Sequence, residues 1–194
     1  MRERPSHADS LDESLATALR LFSRGVADRR SAFRVPTLAS VNAAGHPCLR
    51  TVVLRGFDPA TRGVTIHTDR RSPKIHEIRN NPSVALHVYD QSASIQLRLD
   101  AIAEIHVDDA LAQKAWAHTA AMSRLTYAVE SPPGTPVPSP PDAVEDTDTG
   151  AANFAVLHIT FYRLEWLWLN HAGHRRAAFT WDAAGECHAT WLAP

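Results

Sequence analysis

The stretch from Arg50 to Gln96 carries basic and amide side chains within otherwise apolar runs. Arg50 lies in an apolar, β-branched run, where an unpaired guanidinium would be costly, so its position indicates an anionic partner. Gln96 also interrupts an apolar run and offers both a donor and an acceptor, as recognition of the polar edge of a heterocycle requires. These residue types predict a site for an anion attached to a polar ring.

Basic residues also cluster where a short helix is predicted to begin. Ser72 and Pro73 suit the N-cap and the first helical position, since serine can accept from a free N–H and proline has no N–H to leave unpaired. Arg70, Arg71 and Lys74 surround this helix start, whose free N–H groups and dipole favour an anion. The cluster predicts a phosphate site, with solvated surface charge on a loop as the alternative.

Arg50 and Arg55 are five residues apart, which sets a condition on any pocket that they share. In a continuous strand, residues separated by an odd number point to opposite faces. Both arginines therefore line one pocket only if the site lies at a strand end or at a boundary between subunits.

The C-terminal region carries aromatic and histidine residues whose pattern is less specific. Trp166 and Trp168 are typical of core or interface packing. His171 and His174 lack an acidic or cysteine partner at ligand spacing, so we expect no metal site. The sequence contains no glycine-rich phosphate loop, nucleophile elbow or HExxH motif, so a hydrolase is not the first interpretation.

The elements that must position these residues are mostly strands. Apolar periodicity predicts an N-terminal helix over residues 10–29, with Ser10 and Glu13 as its capping box, and good helix formers indicate another from 108 to about 128. Strand patterns recur over the ranges 35–42, 48–55, 64–68, 83–89, 94–107, 154–169, 175–181 and 186–192. About eight strands, two or three helices and no βαβ alternation predict a mainly antiparallel barrel with peripheral helices.

Length and composition favour one soluble domain over residues 1–194, with 44% hydrophobic and 21% charged residues. A formal charge of −1 gives no electrostatic case for a nucleic-acid partner. No apolar run suggests a membrane span or a signal peptide, so we expect a cytoplasmic protein. Cys48 and Cys187 are too few and too far apart to indicate a disulfide framework or a cysteine-rich zinc site.

Residues 131–150 differ in composition from the rest of the chain. They contain six of the 13 prolines, several acidic residues and almost no large apolar side chain. This composition predicts a flexible loop without regular secondary structure over about 131–152.

Three segments and the C-terminus together resemble the pyridoxamine 5′-phosphate oxidases and their FMN-binding split-barrel relatives. The segments are residues 50–58, 67–82 and 95–98, and the chain ends in Trp191-Leu-Ala-Pro. The resemblance extends from about residue 35 to the end. It implies an α+β fold of the split-barrel type and a homodimer that binds FMN at the subunit interface, which would place Arg50 and Arg55 at a subunit boundary.

The resemblance also implies roles for individual residues. Arg50 and Lys74 match ligands of the FMN phosphate. The neighbouring positions on the cofactor are Thr51, Val52, Val53, Leu54, Arg55, His67, Thr68 and Ser72. Gln96, Trp166 and Arg176 match positions that approach the flavin ring, partly from the second subunit. Pro73 replaces a basic residue of the oxidases, and Arg70 or Arg71 is a candidate to take over its phosphate contact.

The substrate side departs further from the oxidases. Their Arg-x-His-x-Arg pattern reads Ala172, His174 and Arg176 here, and their phosphate clamp aligns with Trp116, Ala120 and Arg124, while Arg55 replaces a substrate-side lysine. We therefore expect FMN binding without the vitamer specificity.

The resulting hypothesis is an FMN-dependent oxidoreductase that acts on an unidentified small molecule, with His174 and Arg176 beside the reacting flavin face. The alternatives are a genuine pyridoxamine or pyridoxine 5′-phosphate oxidase and a non-catalytic flavin- or haem-binding protein. In the haem protein, His171 or His174 would be an axial ligand.

Overall fold

A computed structural model describes residues 5–141 and 148–194. One antiparallel sheet of nine strands dominates the described residues. Its strands are β1 (Thr37–Val41), β2 (Pro47–Thr51), β3 (Leu54–Asp58), β4 (Gly63–Asp69), β5 (Ser83–Asp90), β6 (Ile95–His106), β7 (Phe154–Trp168), β8 (Arg175–Trp181) and β9 (Cys187–Leu192). The order is β2-β1-β5-β6-β7-β4-β3, and β8 pairs with β7 and β9. The end strands β2 and β3 have no pairing with each other in this order, so the sheet stays open and the expected split barrel is confirmed.

Four α-helices pack around the sheet in the described residues. They are α1 (Leu11–Ala27), α2 (Pro73–Asn80), α3 (Ala110–Ala117) and α4 (Ala121–Ala128). The side chain of Ser10 accepts from the backbone N–H of Glu13 at 3.3 Å, which confirms the predicted start of α1. Phe22 of α1 packs edge-on against Phe33 in the main core.

The long strands β6 and β7 form the centre of the sheet, and their alternation separates a core face from a second face. Ile95, Leu97 and Leu99 are buried in the core. Gln96 and Arg98 point to the opposite face, which we call the outer face. The alternation predicted for β6 is therefore confirmed.

The predicted strand over residues 48–55 is wrong in one respect, because it is two strands. β2 ends at Thr51 and β3 begins at Leu54. Between them the backbone N–H of Val52 donates to the carbonyl of Pro36 at 2.9 Å. A register shift follows between Leu54 and Gly56. The apolar, β-branched sequence gives no signal for this interruption.

The helix expected over about 108–128 is also divided, into α3 and α4. Arg124 of α4 donates to the carbonyls of Trp116, Ala117 and Thr119 near the end of α3. Side-chain donors of this kind replace the hydrogen bonds that the next helical turn would supply. The division needs no glycine or proline, so helix propensity alone does not reveal it.

The proline-rich region has no helix or strand over residues 129–141, and a 3₁₀ turn covers Asp148–Asn153. Residues 142–147 of the expected loop lie outside the described residues. None of the helices that the structure describes combines the length and apolar character needed to cross a membrane.

Candidate functional site

A cavity of about 370 Å³ lies where β2 gives way to β3, beside the end of β4 and the start of α2. Eight residues that the sequence singles out line it: Arg50, Thr51, Val52, Val53, Arg55, His67, Thr68 and Lys74. Five further lining residues were not predicted, namely Asp69, Ser123, Thr126, Tyr127 and Pro133. Leu54 contributes no wall, because its side chain is fully buried in the core.

Arg50 has the anionic partner that its position indicated, and that partner is a carboxylate of this chain. One guanidinium nitrogen donates to Glu77 of α2 at 2.7 Å, and another donates to the hydroxyl of Ser40 and to the carbonyl of Cys48. Burial alone would raise the pKa of Glu77, but hydrogen bonds from Ser40 and Arg50 outweigh it and hold the pKa below its usual value. Glu77 is therefore a charged anchor for Arg50.

Lys74 presents its ammonium group to the same cavity. Its Nζ donates to the hydroxyls of Thr68 at 3.0 Å and Ser72 at 2.6 Å. Burial, and then the charge of Arg50, lower the pKa of Lys74. Ser72 occupies the N-cap position of α2 but makes no side-chain capping bond, so that part of the prediction is wrong. Its hydroxyl accepts a hydrogen bond from Lys74 instead, and Pro73 begins the helix as predicted.

Arg55 and His67 supply polar groups that still lack a partner. Arg55 Nε and His67 Nδ1 are buried and have no hydrogen-bond partner within the described part of the chain. Burial, followed by the charge of Arg55, lowers the pKa of His67 to about 4, so its ring is neutral at pH 7. Buried polar atoms in proteins are nearly always hydrogen-bonded, so this wall fits a polar ligand.

Arg70 and Arg71 do not line this cavity. Arg70 pairs with Asp108 at 2.9 Å, and Arg71 pairs with Asp69 at 2.8 Å. Arg71 also donates to two backbone carbonyls beyond α4. Both guanidinium groups are thus paired with carboxylates of this chain, outside the cavity.

Gln96 and Arg176 lie together on the outer face, away from the cavity wall. Leu167 of β7 pairs with both of them, and directly paired residues of a sheet share a face. Arg176 donates to Glu165, which is 5% exposed. Arg98 and Arg163 bind the same carboxylate, at 2.9 Å and 2.5 Å.

Trp166 and His174 are separated from that pair. Trp166 is fully buried in the core, and its ring meets the edge of His7 at 5.8 Å. His174 is exposed before β8, and its Nδ1 accepts from the N–H of Asn170 at 3.0 Å. His171 is also exposed, and no group of three or more His, Cys, Asp or Glu among the described residues is arranged to hold a metal ion.

The residues aligned with the oxidase phosphate clamp do not line the cavity. Trp116 packs against Phe154 and Tyr127, and the Arg124 guanidinium lies 4.9 Å from the Trp116 ring. Ser123, Thr126 and Tyr127 face the cavity instead. The break between α3 and α4 decides which residues face inward, so a sequence alignment through one continuous helix could not find them.

Comparison with known proteins confirms the resemblance that the sequence indicated. Residues 16–107 match the family model for the pyridoxamine 5′-phosphate oxidase FMN-binding domain. A pyridoxine/pyridoxamine 5′-phosphate oxidase of Arabidopsis thaliana is 33% identical over 102 residues, covering 49% of this chain and 52% of the relative. One from Bordetella petrii is 34% identical over 94 residues, covering 46% and 43%. The chain thus spans about half the length of these curated relatives.

Two solved structures share the fold. An FMN-binding protein of Nostoc punctiforme, described as pyridoxamine 5′-phosphate oxidase-related, superposes with a TM-score of 0.75 at 24% identity, over 92% of this chain and 96% of that one. PhzG from Burkholderia lata superposes with a TM-score of 0.71 at 17% identity, over 99% and 98%. These likenesses establish the architecture around the cavity.

Proposed function

We propose that this chain, similar in sequence to the pyridoxamine 5′-phosphate oxidases and sharing the split-barrel fold, is an FMN-dependent oxidoreductase acting on a small molecule. The observation that carries the proposal is the shared cavity of Arg50, Arg55 and Lys74, with its buried polar atoms that lack partners. Such a wall suits a ligand that brings both a phosphate and further polar atoms.

The phosphate would bind at the end of the cavity formed by Arg50 and Lys74. The ammonium of Lys74 is already directed by two hydroxyls, those of Thr68 and Ser72, so little reorganisation is needed to meet an anion. Hydrogen bonds between charged groups are worth about 1.5 to 3 kcal/mol each, which makes this end the main source of affinity.

The binding site of the flavin ring would be completed by a second copy of the chain. Gln96 and Arg176 lie on the outer face, where Leu49 and Tyr89 also expose large apolar surface. Exposed apolar residues grouped on one face are typical of an interaction surface. In the proposed homodimer, the outer face of one subunit covers the open side of the partner's cavity.

Bound FMN supplies hydride transfer, while the chain supplies position and charge. Glu165 accepts two hydrogen bonds from the guanidinium of Arg176, so this arginine brings an oriented positive charge to the proposed reacting face. His174 accepts a backbone N–H at Nδ1, which leaves Nε2 of this exposed ring for a contact with a substrate.

The substrate wall favours a molecule without a phosphate group. Arg124 donates to helix carbonyls and does not line the cavity, whereas Ser123, Thr126 and Tyr127 do. The Burkholderia lata neighbour was solved with tetrahydrophenazine-1-carboxylic acid, so this fold accommodates a ligand unlike the vitamers. A genuine vitamer oxidase is the second candidate, favoured by the cationic Arg55 in the cavity.

Absorption spectroscopy of the purified protein after addition of FMN tests the proposal. We expect flavin bands that stay with the protein through gel filtration. A protein that takes up no FMN would contradict the cofactor, and a Soret band would point to haem. With FMN bound, slow or absent oxidation of pyridoxamine 5′-phosphate is expected, whereas efficient, saturable oxidation would favour the second candidate.

A further inference from the structure

Residues 129–135 form a strap that follows α4 and closes one side of the cavity. Pro133 lines the same cavity as Arg50 and Lys74. Gly134, with φ of +86°, lies against Pro73 at the start of α2, and the N–H of Thr135 donates back to the carbonyl of Pro132. The strap thus packs where the resemblance would have placed a basic phosphate ligand.

Arg71 fastens this strap to the end of β4. Its Nη1 donates to the carbonyl of Glu130 and its Nη2 to the carbonyl of Val129, both at 2.8 Å. Its Nε and Nη2 also donate to the two carboxylate oxygens of Asp69, which is itself buried. The planar fork of an arginine makes four such bonds at once, whereas a lysine ammonium is a point charge without that geometry.

We propose that Arg71 is a positioning residue for FMN, which acts by holding the strap over the phosphate end of the cavity. It does not touch the phosphate. Its guanidinium is fixed by Asp69 on one side and by the strap carbonyls on the other, so the wall that contains Pro133 keeps its place. Loss of Arg71 releases the strap and opens a path by which the cofactor leaves.

Arg70 provides a matched contrast one residue away. It has the same charge and also pairs with an aspartate, but that partner is Asp108, and the pair is exposed. Its guanidinium also makes a 3.4 Å bond to the carbonyl of Ala152. Replacement of Arg70 removes one positive charge near the site without releasing the strap.

The experiment compares Arg71→Ala, Arg71→Lys and Arg70→Ala with the wild-type protein. Release of FMN is followed by the rise in flavin fluorescence after dilution, and amide hydrogen exchange over residues 129–135 is measured without FMN. We expect release from Arg71→Ala to be about tenfold faster or more, since two hydrogen bonds to the strap are lost. The rate of FMN release from Arg71→Lys should be closer to that of Arg71→Ala than to that of wild type. The rate from Arg70→Ala should stay within about twofold of wild type.

Because the inference rests on the proposed function, wild-type binding is measured first. A wild-type protein that binds no FMN overturns the proposed function, and the role of Arg71 with it. If the wild type binds FMN but Arg71→Ala and Arg70→Ala release it at equal rates, only the role of Arg71 is overturned. Strap exchange that is unchanged in Arg71→Ala also overturns it, whereas faster exchange together with faster release supports it.

Discussion

Arg50 and Arg55 line the same cavity although they are five positions apart in the sequence. In an unbroken strand they would point to opposite faces, but the strand ends at Thr51 and resumes at Leu54 with a register shift. The strand-end condition set by their spacing is therefore met inside one chain. The interruption brings two guanidinium groups to one site, which an anionic ligand would stabilise.

Lys74→Met should weaken FMN binding by about ten- to a hundredfold, because it removes a charge-assisted bond to the phosphate. Fluorescence titration of FMN measures the change. Arg79→Met is the matched control, since Arg79 carries the same charge on α2 but is exposed near the end of the helix. Equal losses of FMN affinity in the two variants would show that the net positive charge of this region, and not a specific contact of Lys74, attracts the cofactor.

Arg50 and Glu77 should be strongly coupled in stability. Arg50→Met leaves the buried Glu77 carboxylate without its cation, and Glu77→Gln leaves Arg50 without its anion. Removing one partner of a buried pair costs more than removing both. A double-mutant cycle in urea unfolding should give a coupling free energy of about 1 to 3 kcal/mol. Additive effects would mean that the pair contributes little.

His67 should make the free energy of unfolding depend on pH. Its folded pKa is about 4, below its ordinary value of 6.5, so between these values only the unfolded chain binds the proton. The contribution of His67 to the free energy of unfolding is fully present above pH 6.5. It is lost as the pH drops towards 4, and the loss is about 2 kcal/mol after allowance for partial exposure. His67→Phe preserves an aromatic contact with Phe154 and should lack this component. If the free energies of unfolding of the two proteins change equally from pH 7 to pH 4, the predicted role of His67 is refuted.

Tyr89→Glu should weaken both subunit association and FMN retention. Tyr89 is 44% exposed and pairs with Gln96 on the outer face, where a buried charge would be costly in a dimer. Sedimentation velocity with detection of flavin absorbance reports both properties together. Leu111→Glu is the control, since Leu111 is 37% exposed on the helix α3 and not on a strand of the sheet. A monomer that retains FMN tightly would contradict the shared site.

Much of the fold follows from local sequence signals. The strand ranges 175–181 and 83–89 match β8 and β5 closely, because alternation and turn residues bound them on both sides. The two divided elements were missed for a common reason. The end of β2 depends on a backbone bond to Pro36, and the end of α3 depends on the side chain of Arg124, so both breaks are tertiary effects.

The cationic residues of the site could be predicted from the sequence, but the residues that hold them in position could not. Arg50 and Lys74 stand out because charges in apolar surroundings need partners. Glu77 gave no such signal, since a glutamate on a short amphipathic helix is ordinary until the fold buries it beside Arg50. The sequence made Arg71 a candidate phosphate ligand. Its four acceptors lie at the end of β4 and in a distant strap, so only the fold reveals that its guanidinium is already paired.

The walls of the cavity come from two stretches of chain with different ties to the sheet. Residues 50–74 are built into strands and α2 and fall within the part that matches the oxidase family, which ends at residue 107. Residues 123–133 belong to α4 and the strap, beyond that match. An exchange of this second stretch between relatives would therefore alter both the helical wall of the cavity and the strap that Arg71 holds, while Arg50 and Lys74 stay in place.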